Sequence, residues 1–411
     1  MKVLIVGDAF GFPNGTGATA RVHAYARGLM ENGVEVKVFC LEPTEPRQGP
    51  RANTQAKGNY EGIDFEYTYG STARPSNFFL RRWRQLIGPW RFFRAVRSET
   101  TKGNGIDAII LFSNSLFWIV WVVAVARIAG VQCIQEKSEF PFVSYKKTPW
   151  IRLYAWLYTR TVYKLFDGII VISTFLEEYF SRCIRRGARI LRVPILVDVN
   201  RFEAMSSPTS HERKRIVYSG SLDHPGEVKL LIEAFSALAT GNPAWDLQII
   251  GGTSNPEVPV ELERTVLNLG LADRVDFTGM IERRELPRYL GDADVLVLPR
   301  QAGLFSKAGF PTKLGEYLAT GKPVVVTSTG DIPLYLEDGV SAYLVAPGDV
   351  QSFVKKLHYV MSHPENAAEV GRRGREVARR SFDCKVHCRR IVEFIHELAR
   401  EHHQDKRRCV R

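Results

Sequence analysis

Short apolar runs alternate with longer helical patterns in two successive series along this chain, and that alternation restricts the fold more than any other feature. In the first series Lys2–Val6, Val34–Leu41, Ile106–Phe112, Val131–Gln135 and Gly168–Ser173 read as buried strands, separated by helical stretches such as Ala20–Glu31 and Ser115–Ala129. Such spacing implies parallel strands joined by right-handed crossovers. The pattern breaks near Pro194-Ile195-Leu196-Val197-Asp198, and the polar stretch Ser206–Arg215 is the best linker candidate. A second series follows with Ile216–Ser219, Leu247–Gly251, Val275–Phe277, Val295–Leu298 and Pro323–Thr327. The expected architecture is α/β, with two facing doubly wound Rossmann-like domains. Residues 1–198 form the first and residues 199–381 the second, while a helical, basic tail over residues 382–411 returns to the first. Ligands bind beyond the carboxyl ends of strands in such sheets, which sets both groups of loops around one cleft.

A length of 411 residues with 45% hydrophobic side chains suits two soluble domains of ordinary size. The strongest apolar run, Leu116–Ala126, stops at Arg127, far short of the roughly 20 residues of a membrane span, and reads as a buried helix. The amino terminus has a strand pattern and no signal-peptide pattern, so the expected location is the cytoplasm. Six scattered cysteines do not form a disulfide framework and fit a reducing compartment. Cys384, His387 and Cys388 share a helical spacing, for which an ordinary terminal helix is a stronger reading than a metal site. The formal net charge of +12 favours an anionic partner: nucleic acid, a membrane face or a phosphorylated substrate.

Gly15-Thr16-Gly17-Ala18-Thr19-Ala20 has the spacing G-x-G-x-x-A. In the dinucleotide fingerprint the first glycine ends the strand, whereas Gly15 stands eight positions beyond Gly7. Three readings stay open: a nicotinamide dinucleotide site with Glu42 as the ribose carboxylate, a flexible loop without ligand, and a loop whose amides approach a phosphate. The stretch over residues 300–349 says more. Pro311 precedes a helix, Lys313 falls in its first turn, and Glu316 follows three residues later on the same face.

Gly15-Thr16-Gly17, Pro194–Phe202 (PILVDVNRF), Tyr218-Ser219-Gly220-Ser221-Leu222 and Lys313-Leu314-Gly315-Glu316-Tyr317-Leu318-Ala319 together resemble the retaining GT-B glycosyltransferases of family 4 over nearly the whole chain. The resemblance implies a sugar transferase that uses a nucleotide-diphosphate donor, UDP- or GDP-linked, with no other cofactor and no metal. By that likeness Glu316 accepts hydrogen bonds from ribose hydroxyls, and Lys313 with nearby amides holds the diphosphate. Gly15, Thr16, Gly17, Ser219, Gly220, Arg300 and Thr312 complete the expected donor-binding set. Cations and amides fixed around a departing diphosphate stabilise the negative charge that grows as the glycosidic bond breaks.

Two departures qualify the likeness. The family's E-x7-E motif would begin at Ala308, and its donor-domain Arg and Lys fall near Ser221 and Gly226, leaving Arg300, Lys307 or Lys229 to compensate. The histidine usual after the strand Val131–Gln135 is replaced by the run QEKSEFPF, in which Glu136 or Glu139 would contact the transferred sugar or the acceptor. A structural carboxylate, paired with Lys137 or ending a helix, is an equal reading of that pair. The expected catalytic set is therefore Glu136, Glu139 and Lys313. Asp292-Ala293-Asp294 has D-x-D form but precedes a buried strand, where it ends a helix more naturally than it binds a cation.

Between Glu66 and Glu99 there is no acidic residue, while Arg74, Arg81, Arg82, Arg84, Arg91, Arg94 and Arg97 interleave with Phe78, Phe79, Trp83, Trp90, Phe92 and Phe93. This composition suits an interfacial segment on an anionic membrane better than packed aromatic structure or a nucleic-acid surface. The expected function is sugar transfer to a saccharide or lipid-linked acceptor in cell-surface polysaccharide synthesis, on the inner face of the plasma membrane and without nucleic acid. The alternatives are an NAD-dependent Rossmann oxidoreductase and a non-enzymatic basic protein that binds membrane or nucleic acid.

Overall fold

The computed structural model describes residues 1–409 apart from 16, 50, 102–104, 141–147, 204–212 and 254, with side chains of the last helix described as far as Glu401. The chain divides into two compact units, Met1–Leu196 with Cys384–Arg411, and Val197–Asp383.

The first unit runs β1 (Lys2–Gly7), α1 (Gly17–Glu31), β2 (Glu35–Cys40), β3 (Lys57–Tyr60), β4 (Ile63–Tyr67), α2 (Phe78–Thr101), β5 (Ala108–Phe112), α3 (Leu116–Ala129), β6 (Gln132–Lys137), α4 (Pro149–Thr161), β7 (Gly168–Val171), α5 (Thr174–Ser181) and β8 (Arg189–Arg192). Its sheet has the order β3-β4-β2-β1-β5-β6-β7-β8, and only β3 is antiparallel to its neighbour. The step from β1 to β2 goes one way along the sheet; those from β4 to β5, β5 to β6, β6 to β7 and β7 to β8 go the other. Right-handed crossovers then put α1 on one face and α2, α3, α4 and α5 on the opposite face. Order reverses between β1 and β5, so the crevice for ligands opens beyond their carboxyl ends. Val3, Ile5, Val22, Tyr25, Ile110 and Phe394 belong to the core on the α1 face.

The second unit contains α6 (Val199–Glu203), β9 (Lys214–Ser219), α7 (Pro225–Ala239), β10 (Trp245–Ile250), α8 (Glu257–Asn268), β11 (Val275–Gly279), α9 (Leu286–Gly291), β12 (Val295–Leu298), α10 (Leu304–Ala308), α11 (Thr312–Ala319), β13 (Val324–Thr327), α12 (Ile332–Tyr335), β14 (Tyr343–Val345), α13 (Val350–Ser362) and α14 (Pro364–Ser381). Its all-parallel sheet, β11-β10-β9-β12-β13-β14, reverses between β9 and β12. The last helix, α15 (Cys384–Cys409), belongs to the first unit and packs on α1. Gly28 allows this approach: a Cβ there would lie 2.4 Å from the Cys384 carbonyl oxygen. Cys384 and Cys388 are core residues of that contact.

Three sequence expectations change. The run Leu116–Ala126 is only half buried: Trp118, Ile119, Val122 and Val123 face the sheet, while Leu116, Phe117 and Val120 are exposed. The linker stretch Ser206–Arg215 lies mostly outside the described residues, and its end is already strand β9. The strands β3, β4, β8 and β14 were not anticipated. Among the described residues, no helix is long and apolar enough to cross a membrane.

At the amino-terminal edge of the first sheet, Lys2 Nζ lies 2.6 Å from Glu99, and Lys37 Nζ donates to the same carboxylate at 2.8 Å. Burial opposes ionisation of Glu99, but these hydrogen bonds and charges outweigh it and hold the carboxyl at about 2, well below its ordinary 4.5. A depressed folded-state pKa contributes stability above the ordinary value and loses it as pH falls from about 4.5 through about 2. Glu99→Gln is expected to cost about 1.5–3 kcal/mol at neutral pH and to flatten that acid limb. Urea titrations between pH 6 and 2 read both effects; parallel curves for the two chains would refute this assignment.

Candidate functional site

In the second unit α11 is fastened through Tyr317 to the carboxyl end of β9. Pro311 precedes α11 with extended backbone, and its carbonyl accepts from Leu314 N at 3.0 Å. Lys313 and Glu316 then share one face, with Nζ 3.1 Å from Oε2. Glu316 is 5% exposed, and apart from that ion pair its Oε2 accepts no hydrogen bond. With the Lys313 ammonium as its close partner and no hydrogen bond accepted at Oε2, the buried carboxylate keeps acceptor capacity for an incoming hydroxyl. Thr312 is half-buried at the helix start.

Tyr317, next along the helix, locks α11 to the sheet: Ser219 N donates to its hydroxyl at 2.6 Å, and the hydroxyl donates to Ser219 O at 3.1 Å. Gly220 N donates to Ile250 O at 3.0 Å. Ser219 and Gly220 belong to the expected donor-binding set, and their amides are engaged within the protein. Gly251 has φ +145°, and a Cβ there would lie 1.8 Å from the Gly220 carbonyl oxygen, so only glycine lets β9 and β10 end this close together.

Arg300 is buried just beyond β12, its amide held by Thr327 Oγ1 at 2.9 Å and its guanidinium 5.3 Å from the centre of the Phe305 ring. Burial lowers its pKa, opposed by the nearby Glu227 carboxylate; burial likewise raises Glu227 despite Arg300. Lys307 and Lys229 are exposed on α10 and α7. Ala308, where the resemblance would want a glutamate, is fully buried. Of the three compensating cations considered, Arg300 is the one buried beside the crevice. Asp294 Oδ2 accepts from Arg215 N at 2.8 Å, which ties β12 to β9. Among the described residues, no group of three His, Cys, Asp or Glu side chains has a metal-binding arrangement.

In the first unit the glycine loop after β1 is anchored. Asn14 N donates to Asn53 Oδ1 and Asn53 Nδ2 returns a bond to Asn14 O, both at 2.8 Å. Thr19 Oγ1 donates to Gly11 O at 2.8 Å, and a Cβ on Gly15 would lie 2.1 Å from that hydroxyl oxygen. Gly17 begins α1; Thr16 lies outside the described residues. Glu42, weighed as a ribose carboxylate, instead lies 3.5 Å from Arg74 Nη2 and accepts from Trp118 Nε1 at 3.3 Å.

Consecutive residues of β6 point to opposite faces. Glu136 points toward α1, where it is 4% exposed and accepts from Arg21 Nε at 2.6 Å and from Ser138 Oγ at 2.6 Å. Arg21 also donates to Pro194 O at 2.8 Å, Val193 O at 3.0 Å and the Tyr25 hydroxyl at 2.9 Å. The partner of Glu136 is thus Arg21, whereas Lys137 points the other way, bonded to Ser113 O at 3.1 Å and to Asn114 Oδ1. Burial pulls the Lys137 ammonium down to about 8, against Glu136, Asp8 and Glu139. Asp8, at the end of β1, is pushed up by burial, and its Oδ1 accepts no hydrogen bond. Glu139 is exposed on the following loop. The structure therefore separates Glu136 from Glu139, and it adds Arg21, Lys137 and Asp8, which sequence reasoning missed. Arg21 had no signal beyond its place in a helical pattern; Lys137 was seen only as a partner for Glu136.

The family model for glycosyl transferases group 1 matches residues 200–377, and that for the glycosyl transferase 4-like domain matches residues 16–195. A GDP-mannose-dependent alpha-(1-6)-phosphatidylinositol monomannoside mannosyltransferase of Mycolicibacterium smegmatis is 29% identical over 243 residues, covering 56% of this chain and 62% of that protein. An MMP alpha-(1->4)-mannosyltransferase of Mycolicibacterium hassiacum is 29% identical over 385 residues, covering 87% of this chain and 89% of its own. The Anabaena protein Alr3699/HepE, solved with UDP and glucose, superposes with a TM-score of 0.68 at 18% identity, covering 95% of this chain and 98% of that one. The alignments with the first three curated relatives span 62, 49 and 40% of those proteins, about half their length.

Proposed function

Since the chain belongs to the GT-B glycosyltransferases, we propose that it moves a sugar, with retention of anomeric configuration, from a UDP- or GDP-linked donor to a saccharide or lipid-linked acceptor. The observation that carries this reading is the buried Glu316 carboxylate, with one oxygen lacking a hydrogen bond, beside Lys313 in the first turn of α11. Glu316 receives the ribose hydroxyls. Lys313 and Arg300 face the diphosphate, and their charge becomes more valuable as the glycosidic bond breaks and negative charge collects on the leaving group. Thr312 and the amides at the start of α11 add donors there.

The loop of Gly15, Thr16 and Gly17 before α1 is the first unit's own candidate for a phosphate. Ser219, held by Tyr317, and Gly220, held by Ile250, line the donor site at the end of β9. In the first unit Glu139, Lys137 and Asp8 stand at the carboxyl ends of the strands and supply hydrogen bonds to acceptor hydroxyls, while Glu136 orders that end through Arg21. The Anabaena protein's UDP and glucose and the mycobacterial relative's GDP-mannose and phosphatidylinositol mannoside support this class of donor and acceptor.

The second element of the proposal is location: α2 rests on the anionic inner face of the membrane during surface-polysaccharide synthesis. Phe79, Trp83, Leu86 and Trp90 are exposed along α2, while Phe92 and Val96 hold it to the unit.

Thermal melts with UDP, GDP, NAD and a short oligonucleotide test the first element. A nucleotide at 100 times its Kd raises stability by about 2.7 kcal/mol. UDP or GDP is expected to raise the melting temperature and to protect against inactivation, and a panel of nucleotide sugars then identifies the hydrolysed donor. Stabilisation by NAD alone would overturn the transferase reading.

A further inference from the structure

Helix α4 is the least covered helix of the first unit. Trp150 is 80% exposed, and Leu153, Tyr154 and Leu157 are each more than 40% exposed. At helical spacing these positions, i, i+3, i+4 and i+7, form one continuous stripe. The protein-facing side is a different one: Tyr158 is buried with its hydroxyl donating to Asn114 O at 3.0 Å, and Thr159 Oγ1 lies 3.3 Å from the Tyr179 hydroxyl. Beside the stripe, Arg160 sits over the Trp156 ring at 4.7 Å and Arg152 is exposed. The chain has no carboxylate between Glu139 and Asp167.

This stripe is not isolated. Right-handed crossovers put α2, α3 and α4 on the same face of the first sheet. The Trp121 indole donates to Pro89 O at 3.1 Å between α3 and α2, and the Tyr158–Asn114 bond links α4 to the loop that leads into α3. Exposed Leu116, Phe117 and Val120 of α3 lie on this same face. The three helices contain nine arginines and one carboxylate, Glu99, which is tied to Lys2 and Lys37. A second copy docked on this face would oppose like charges, whereas an anionic bilayer offers an apolar interior beneath a phosphate layer.

We propose that α4 is a membrane-inserting element, with Trp150, Leu153, Tyr154 and Leu157 entering the acyl boundary while Arg152 and Arg160 remain at the lipid phosphates. It rests on the reading that α2 docks on an anionic membrane, and it adds a deeper contact to that electrostatic one. Docking of α2 then combines its arginines with its exposed aromatics, and insertion of α4 adds aromatic and aliphatic burial.

Co-sedimentation with phosphatidylglycerol–phosphatidylcholine vesicles distinguishes the two. The chain carrying Trp150→Ser, Leu153→Ser and Leu157→Ser is expected to bind at least 10-fold more weakly, with little change in melting temperature, because none of the three side chains belongs to the buried core. The chain carrying Arg82→Gln, Arg84→Gln, Arg91→Gln and Arg94→Gln is expected to lose its preference for phosphatidylglycerol. A milder pair, Trp150→Phe with Trp156→Phe, retains the apolar surface; its fluorescence should be quenched less by lipids brominated along the acyl chain than that of the unmodified protein. Wild-type binding by the serine chain, or equal quenching of both tryptophan forms, would overturn insertion of α4 while leaving docking by α2 intact. If the unmodified protein ignores the anionic vesicles at low salt, docking itself fails. A fall in oligomeric mass for the serine chain would assign the stripe to a protein interface and overturn the proposal.

Discussion

Replacing Glu316 with alanine is expected to weaken use of the sugar donor by roughly 10- to 150-fold, the equivalent of about 1.5–3 kcal/mol for hydrogen bonds to a charged group. The loss should fall on nucleotide affinity as much as on turnover, since the ribose contacts exist both before and during the reaction. Stability points the other way. The carboxylate is buried with only the Lys313 ammonium, 3.1 Å away, to offset its desolvation at Oε2, so its removal relieves that cost in the unliganded protein. Only the half-exposed Lys313 loses a partner. The expected result is a melting temperature equal to or above that of the unmodified chain, with donor affinity reduced. Lys313→Ala should lower turnover more than affinity, because the diphosphate charge grows as the bond breaks. Calorimetry with UDP and GDP beside donor-hydrolysis rates separates these cases. A Glu316→Ala chain that melts several degrees lower and binds nucleotide normally would make the residue structural, and the site would have to be sought elsewhere.

This part of the site was legible in the sequence because its logic is local. Pro311, Lys313 and Glu316 fall within two helical turns, and a spacing of three residues suffices to put a cation and a carboxylate side by side. What was not legible depends on contacts far apart in the chain. Ser219 and Gly220 lie in the expected crevice, but their amides are taken by Tyr317 and Ile250, 98 and 30 residues away. Arg300 could not be ranked above Lys307 and Lys229 by charge alone; burial beyond β12 ranks it. Glu136 and Glu139 looked equivalent as neighbours in a short run. Strand alternation and the position of α1 send one into a buried pair and leave the other exposed.

The same distinction governs the fold. Strands with continuous apolar patterns, such as β1, β5 and β12, were readable because burial on both faces leaves no polar alternation. The hairpin of β3 and β4 was not: KGNY has little apolar character, and its pairing depends on the turn at Glu61 and Gly62, both with positive φ. Helix α3 is apolar all round, which suggests full burial, yet only its sheet-facing side is covered. Helix α4 escaped notice because aromatic residues at helical spacing usually belong to a core. Exposure at Trp150 and its neighbours is a property of the assembled unit.

Arg21→Ala is expected to be the most destabilising single substitution considered for the first unit. Its guanidinium meets four partners, and each loses its donor at once: the Glu136 carboxylate, the carbonyls of Val193 and Pro194, and the Tyr25 hydroxyl. Removing one member of a buried ion pair costs about 3–5 kcal/mol, because the remaining charge is left without compensation. For a unit of this size that is a fall in melting temperature of roughly 6–20 °C. Glu136→Gln separates structure from chemistry. The amide keeps an oxygen that accepts from Arg21 Nε, so it should destabilise less than Arg21→Ala and, in the folded fraction, leave turnover within a few-fold of normal. Scanning calorimetry with rates normalised to folded protein measures both. An Arg21→Ala chain melting within a degree of the unmodified protein would show the pair to be weak. A stable Glu136→Gln chain without activity would instead put that carboxylate in contact with the substrate, where the bond to Arg21 would serve to orient it.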